Sequence, residues 1–220
     1  MISGVRTWRT VDGVRVEGAA RPVFAGGGGA HHLTELVVYA DGLITCESRR
    51  LDLDGLAAEL ESGRIAIAPP EGSRVSIHHL ATWKSGETHA IVTPAGLLAD
   101  IADEIEALNG RPGSRDRCTA AAHDWAADPG EENRLALRRA FLAVPEHHRR
   151  YFGARLWSYL AAMTPAGEHA EFDGMRALIT EERREKARAT FAAQAAGHRS
   201  RQEDRPADGP AEPVHPPTGT

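Results

Sequence analysis

The sequence has little cysteine: Cys46 and Cys118 are the only two in 220 residues. Two distant cysteines build no disulfide framework, and they lack the close spacing that thiolate metal sites use. This pattern is typical of a reducing compartment, so we expect the protein in the cytoplasm.

Long apolar runs are also missing. Residues 36–40 form one of the longest, and it is far shorter than the ~20 residues that cross a bilayer. Arg6 and Arg9 near the start are not followed by an apolar stretch of signal-peptide length. We therefore expect no membrane partner and no secretion by that route.

Charge of one sign does not dominate. The chain has 26 basic and 31 acidic residues and a formal net charge of -5. The basic residues form no stripe that could follow a phosphate backbone. All of them except Lys84 and Lys186 are arginine, which is typical of a GC-rich bacterial genome. We expect no nucleic-acid partner.

Residues 1–92 show short β-type runs separated by turn signals. Asp12-Gly13 and Asp41-Gly42 each separate two runs that suit β-strands. Asp-Gly favours a type I′ hairpin because both residues tolerate positive φ. The four glycines 26–29 are followed by another β-type run, so they predict a flexible β–β loop. Further strands are expected over residues 64–68, 75–80 and 89–92.

One short helix is predicted within this region. Asp52 or Asp54 can cap it, Leu56 and Leu60 lie on one face, and Gly63 can follow its end. The fold class is therefore α+β, with an N-terminal, mostly antiparallel β-sheet and one short helix over residues 1–92.

From residue 93 onward, apolar residues recur at every third or fourth position instead of every second. This spacing predicts a region of four to five helices over 93–198. Thr93 can cap the first helix, Pro94 suits its first position, and Asn109-Gly110 can end it. Two further helices are predicted over about 114–127 and 130–144. A fourth is expected to start at Pro145 and a fifth near His169, and residues 181–188 of the fifth are expected to project into solvent. The proline-rich residues 199–220 predict a disordered tail.

Three pairs of adjacent histidines occur: His31-His32, His78-His79 and His147-His148. Neighbours in a strand point to opposite faces, so one member of each strand pair at most can enter a common site. We take His32, His79 and Trp83 as candidate ligand-binding residues, because Trp83 could stack a ring beside an imidazole. Packing in a core or between domains is the alternative for Trp83, and a solvated helix face is expected for His147-His148.

A metal site would require, for example, that His32 and His79, with or without His89, converge with a carboxylate from Asp41 or Glu47. No ligand spacing supports that arrangement, so no metal site is predicted. The chain also lacks a Gly-x-Ser-x-Gly elbow and a Gly-Lys-Ser/Thr phosphate loop, and its cysteines show no sign of activation. We predict no catalytic residue and no cofactor.

Five segments within residues 5–152 carry a family resemblance: TWRTVDG (7–13), LTELVVYADGLI (33–44), PEGSRVSIHHL (70–80), LNGRP (108–112) and VPEHHRRY (144–151). They resemble the N-terminal region of certain actinobacterial NADAR-family proteins, which precedes the NADAR domain. That domain is associated with NAD and ADP-ribose metabolism and with cleavage of N-glycosidic bonds. The resemblance implies an accessory module without the catalytic domain, and it transfers no catalytic residue.

We therefore expect a non-enzymatic binding or regulatory module, linked to NAD and ADP-ribose metabolism by resemblance. Its partner is left open between a protein and an ADP-ribose-like small molecule. One alternative is an N-glycosidase or nucleotide-processing enzyme, with His79 as acid-base and Trp83 stacking a base. Another is a scaffold that binds a protein through the face containing Tyr151, Trp157 and Tyr159.

Overall fold

The computed structural model describes residues 4–203, with side-chain burial described up to residue 198. The strands are β1 (Val5–Val11), β2 (Val14–Gly27), β3 (Ala30–Tyr39), β4 (Ile44–Cys46), β5 (Arg49–Leu51), β6 (Ile65–Ala66), β7 (Arg74–Ile77), β8 (Ala81–Lys84), β9 (His169–Phe172) and β10 (Met175–Leu178). The helices are α1 (Leu53–Glu61), α2 (Pro94–Leu108), α3 (Ser114–Ala127), α4 (Glu131–Ala143), α5 (Glu146–Arg149), α6 (Leu156–Met163) and α7 (Glu181–Glu203), with a 3₁₀ helix over Arg150–Arg155. The predicted α+β class is confirmed.

Tight turns organise the N-terminal sheet. Asp12 and Gly13 both have positive φ, 50° and 79°, between paired Val11 and Val14, as a type I′ hairpin requires. The glycine run likewise forms the β2–β3 turn, since Gly27 pairs with Ala30. A hairpin is also confirmed at Asp41-Gly42, with β3 and β4 antiparallel on either side of it, but the predicted type I′ turn is wrong there, because only Gly42 of the two residues has positive φ.

The main sheet has eight strands, of which five follow in the order β1-β2-β3-β4-β5. Strand β6 pairs with β2, and β7 lies between β3 and β8. The β3–β7 pair is parallel and the other pairs described are antiparallel. The prediction of a mostly antiparallel sheet is confirmed.

Helices α1 and α2 cover the apolar face of this sheet. The Asp52 side chain caps α1 by accepting a hydrogen bond from the Gly55 amide at 2.8 Å. Thr93 caps α2, with Pro94 in the first turn, as predicted. One hydrophobic cluster joins both helices to strands β2, β3, β4 and β6; it contains Leu56, Leu60, Leu97, Ile101, Val23, Leu36, Val38, Ile44 and Ile65. Helix α2 thus packs on the sheet, while the predicted domain division after residue 92 stays a prediction.

The later helices form a second hydrophobic cluster around aromatic side chains. Trp125, Tyr159 and Phe191 are almost fully buried there, and the Tyr159 and Phe191 rings lie 4.7 Å apart. Phe191 comes from α7, so this helix belongs to the cluster. No helix among residues 4–203 combines the length and the apolar character needed to cross a bilayer.

Residues 89–92 do not form the predicted strand. They lie in an irregular segment before Thr93, and Ile91 is exposed. The edge beside β7 is occupied by β8 instead. A short apolar run forms a strand only where an unpaired edge is within reach, and that depends on the rest of the sheet.

The helix predicted from Pro145 is broken. Gly153 has φ 58° and ψ -136°, a conformation that only glycine adopts readily, and it separates α5 and the first part of the 3₁₀ helix from α6.

The helix predicted from His169 is a hairpin instead. Asp173 and Gly174 have φ values of 51° and 75°, so a third Asp-Gly turn joins β9 to β10. Apolar residues spaced by three and four on the two sides of this turn imitate a helical pattern. The next helix, α7, begins only at Glu181.

The predicted solvation of residues 181–188 is only partly right. Ala187 is buried, and Arg188 Nε donates to the Ala126 carbonyl at 2.9 Å, so one face of α7 packs on the helical core. The helix continues through Glu203, into the segment predicted as tail. The rest of that predicted tail, residues 204–220, lies outside the described residues.

Candidate histidine–carboxylate site between helices α2 and α5

Helix α2 has an apolar side and an acidic side. Leu97 and Ile101 pack against the sheet. Asp100, Asp103 and Glu104 follow the spacing i, i+3, i+4, which places them together on another side of the helix. The helix that covers the sheet therefore presents carboxylates to the second half of the chain.

Both oxygens of Asp100 face histidines of α5. The Oδ2 atom lies 3.1 Å from His147 Nε2, and the Oδ1 atom lies 3.5 Å from His148 Nδ1. When one ring nitrogen is taken from each histidine and one carboxylate oxygen from Asp100, these three atoms lie within 4.8 Å of one another. Two imidazoles and a carboxylate thus converge on one point.

This cluster is largely shielded from solvent. The side chains of Asp100 and His147 are 12% and 11% exposed, and that of His148 is 25% exposed. Burial lowers the pKa of His148; the Asp100 charge acts in the opposite direction but with less effect, and His147 adds to the lowering. A lowered pKa favours the neutral imidazole, which has a lone pair available for bonding.

Arg21 of β2 completes the electrostatic surroundings. Its guanidinium lies 3.7 Å from Asp100 Oδ2 and 3.6 Å from Glu104 Oε2, bridging two carboxylates one helical turn apart. Asp100 Oδ1 is buried, yet it accepts no hydrogen bond from any part of the chain that is described. The cluster therefore contains an acceptor whose bonding capacity is not used.

Local structure brings α5 close to α2. Arg149, the last residue of α5, donates from Nε to the Val144 carbonyl and from Nη2 to the Leu142 carbonyl, both at 2.8 Å, which holds α5 against the end of α4. On the other side, a Cβ atom at Gly96 would lie only 3.1 Å from His147 Nδ1. The absence of a side chain at Gly96 allows the imidazole to lie against α2.

Asp103 makes a second polar connection from α2. It accepts hydrogen bonds from the Ser114 amide at 2.7 Å and from the Ser114 hydroxyl at 2.5 Å, at the first residue of α3. Arg117 Nη2 lies 3.6 Å from the same carboxylate. Two carboxylates of α2 therefore hold two helices of the second half.

The structure does not bring the predicted ligand-binding residues together. His32 Nε2 lies 2.5 Å from Glu47 Oε1. His79 is exposed, with φ 54°, just beyond the end of β7. Trp83 is 42% exposed on β8, so the predicted packing role for this residue is wrong.

The strand register explains the separation of His32 and Trp83. His32 pairs with Ser76, whereas Trp83 pairs with Val75. Adjacent residues of a strand face opposite sides of the sheet, so His32 and Trp83 do too. His32 lines a shallow cavity of about 220 Å³ that Trp83 does not line. A ligand-binding role for these residues stays a prediction.

The expectation that His147 and His148 lie on a solvated helix face is wrong, because both side chains are largely shielded from solvent beside Asp100. The adjacent pair was visible in the sequence, as was a helix through Asp100, but nothing local indicated that the two would meet. The separation of 47 positions between His147 and Asp100 makes their contact a matter of packing.

The proposed protein-binding face is also changed by the structure. Tyr159 is buried in the helical core and Trp157 packs against that core, while Tyr151 is exposed. These three aromatics therefore form no common exposed surface.

The expectation of unactivated cysteines is confirmed. Cys46 and Cys118 are buried free thiols. Burial raises the pKa of both, that of Cys118 to about 12. Neither thiol is poised to form the reactive thiolate.

Comparison with known families divides the chain near the end of α2. Residues 6–112 match a family described as a domain of unknown function (DUF7638), and residues 113–202 match a second such domain (DUF7639). No curated protein and no solved structure matches the chain. Asp100 lies in the first matched segment and His147 and His148 in the second, so the cluster is built by both.

Proposed function

We propose that this protein is a non-enzymatic binding or regulatory module whose two family-matched segments are coupled through Asp100. The observation on which this rests is the position of that carboxylate. Asp100 belongs to a helix packed on the sheet, and both of its oxygens face adjacent histidines of α5. Because these partners are largely shielded from solvent, their interaction is stronger than it would be in water, which suits a contact that couples the two segments.

A link to NAD and ADP-ribose metabolism is part of the same proposal. It is supported by the resemblance of residues 5–152 to the region that precedes the NADAR domain in actinobacterial proteins. The ligand class that this suggests is an ADP-ribose-like small molecule. A bacterial cytoplasmic location is proposed with it, since a reducing compartment suits two buried free thiols.

Turnover is tested first. The untagged full chain is incubated with NAD⁺ and, separately, with ADP-ribose, and the nucleotides are separated by liquid chromatography. We expect both compounds to be recovered intact. Hydrolysis that is lost in His147→Ala but retained in His89→Ala, an exposed histidine elsewhere, would show an enzyme instead.

Coupling is tested by amide hydrogen exchange on metal-free protein. Asp100→Asn removes the charge that faces both histidines while keeping the side-chain volume. We expect faster exchange in α2 and also in α5 and α6. Asp124→Asn, the same change at an exposed position of α3, is the matched control and should alter neither region. Faster exchange confined to the turn around residue 100 would refute coupling.

A further inference from the structure

We infer that Asp100, His147 and His148 form a binding site for one divalent transition-metal ion of the zinc type. This inference rests on the proposed coupling function and gives it a ligand. A metal bridging Asp100 to the two histidines would connect the segments matched by the two families.

The distances suit direct coordination. Zinc binds imidazole nitrogen and carboxylate oxygen at about 2.0–2.2 Å, and tetrahedral geometry then separates neighbouring ligand atoms by about 3.4 Å. The Asp100 oxygens lie 3.1 Å from His147 Nε2 and 3.5 Å from His148 Nδ1. These two distances involve different oxygens of Asp100. With one ligand atom taken from each residue, the three atoms lie within 4.8 Å of one another, so the side chains must draw closer to bind a common ion.

The donor chemistry selects the class of ion. Two imidazole nitrogens and one carboxylate suit zinc and its neighbours among the divalent transition metals, whereas Mg²⁺ prefers oxygen ligands. Asp100 Oδ1 also has lone pairs that no donor within the described residues uses. A metal ion would satisfy this buried acceptor.

Arg21 opposes a cation here, since it lies 3.7 Å from Asp100 Oδ2. Its second nitrogen lies 3.6 Å from Glu104, which can retain the guanidinium when Asp100 turns toward a metal. Apart from the imidazoles, the charged groups in contact here are Asp100, Glu104 and Arg21, and their charges sum to one negative charge. That balance favours an incoming cation.

Three protein ligands leave at least one coordination position open. Structural zinc sites are typically closed by four protein ligands, whereas an open position accepts water or an external ligand. The partial exposure of His148 gives solvent a route to this position. The site thus fits reversible binding, which suits a regulatory module.

The test uses the untagged full chain, stripped with EDTA and dialysed, and titrates it with Zn²⁺ and with Mg²⁺ by calorimetry. We expect one Zn²⁺ per chain, a higher melting temperature with Zn²⁺, and no comparable effect of Mg²⁺. Co²⁺ should give visible d–d absorption bands that Zn²⁺ displaces. No stoichiometric Zn²⁺ binding would overturn the inference.

Variants locate the site. Asp100→Asn and His148→Gln should each weaken Zn²⁺ binding at least tenfold, because even the loss of an outer-shell partner costs about 10–100-fold. His32→Gln, which alters the separate His32–Glu47 pair, is the matched control and should bind as the parent does. Unchanged affinity in His148→Gln, or loss in His32→Gln, would refute this location. Circular dichroism checks that each variant is folded, and His148, the most exposed ligand, is the safest substitution.

The two proposals can fail separately. If Zn²⁺ does not bind but Asp100→Asn speeds exchange in α5 of the metal-free protein, the metal site is refuted and the coupling stands. If Zn²⁺ binds at the three residues but exchange changes only around residue 100, the coupling function is refuted.

Discussion

Removing the Phe191 ring tests how α7 is attached to the rest of the helical core. Phe191 is fully buried, and its ring lies 4.7 Å from that of Tyr159. Truncation of a buried phenylalanine to alanine costs about 3–5 kcal/mol, because apolar contacts are lost and a cavity remains. We expect a loss near the middle of this range for Phe191→Ala, about 4 kcal/mol. Such a loss is a large part of the 5–15 kcal/mol by which domains are usually stable.

Urea unfolding followed by fluorescence measures this loss. Trp125 is buried in the same core, whereas Trp8 and Trp83 are exposed on the sheet half. Phe191→Leu keeps much of the apolar volume, so it should cost less than about 2 kcal/mol. Glu185→Ala, at an exposed position of α7, is the control and should change stability by no more than about 0.5 kcal/mol. A loss below about 1 kcal/mol for Phe191→Ala would refute the docking of α7.

Three further outcomes are expected. Gly174→Ala places a side chain at φ 75° in the β9–β10 turn and should lower the free energy of unfolding by about 1–2 kcal/mol, measured in urea. Asp52→Ala removes the cap of α1 and should cost about 1 kcal/mol by the same measurement. Cys118 has a pKa of about 12 against an ordinary 9.0, so the unfolded chain loses this proton first. Its contribution to stability is complete below about pH 9 and declines as the pH rises toward 12, a decline that Cys118→Ala should lack.

Each of these expectations has a contrary result. Equal stability of Gly174→Ala and the parent would show that this turn does not require positive φ. An unchanged free energy of unfolding in urea for Asp52→Ala would mean that the cap bond contributes nothing. Parallel pH profiles for the parent and Cys118→Ala between pH 9 and 12 would contradict the buried thiol.

Local signals predicted much of the fold because they act over a few residues. Asp12-Gly13 required positive φ at both positions, and the β1–β2 hairpin followed. Thr93 and Pro94 marked the start of α2, and residues 114–127 were predicted as the helix that became α3. In each case, backbone preference and capping decide the structure before any distant contact forms.

The failures arose where two local patterns competed. Apolar residues near His169 suited a helix by spacing, but Asp173-Gly174 turned the chain into a hairpin. Gly153 interrupted a helical pattern whose apolar residues fitted one face. Residues 89–92 suited a strand, yet β8 took the available edge. Which pattern prevailed depended on the surrounding packing.

The sequence by itself determined the α+β class, the hairpins at Asp12-Gly13 and Asp41-Gly42, and the capped starts of α1 and α2. These follow from backbone preferences and from the hydrophobicity of nearby residues. Only the tertiary structure decided that Asp100 would meet His147 and His148, and that His32 and Trp83 would lie on opposite faces of a sheet. Contacts across 47 positions depend on how the two halves pack, and strand register decides which side chains share a face.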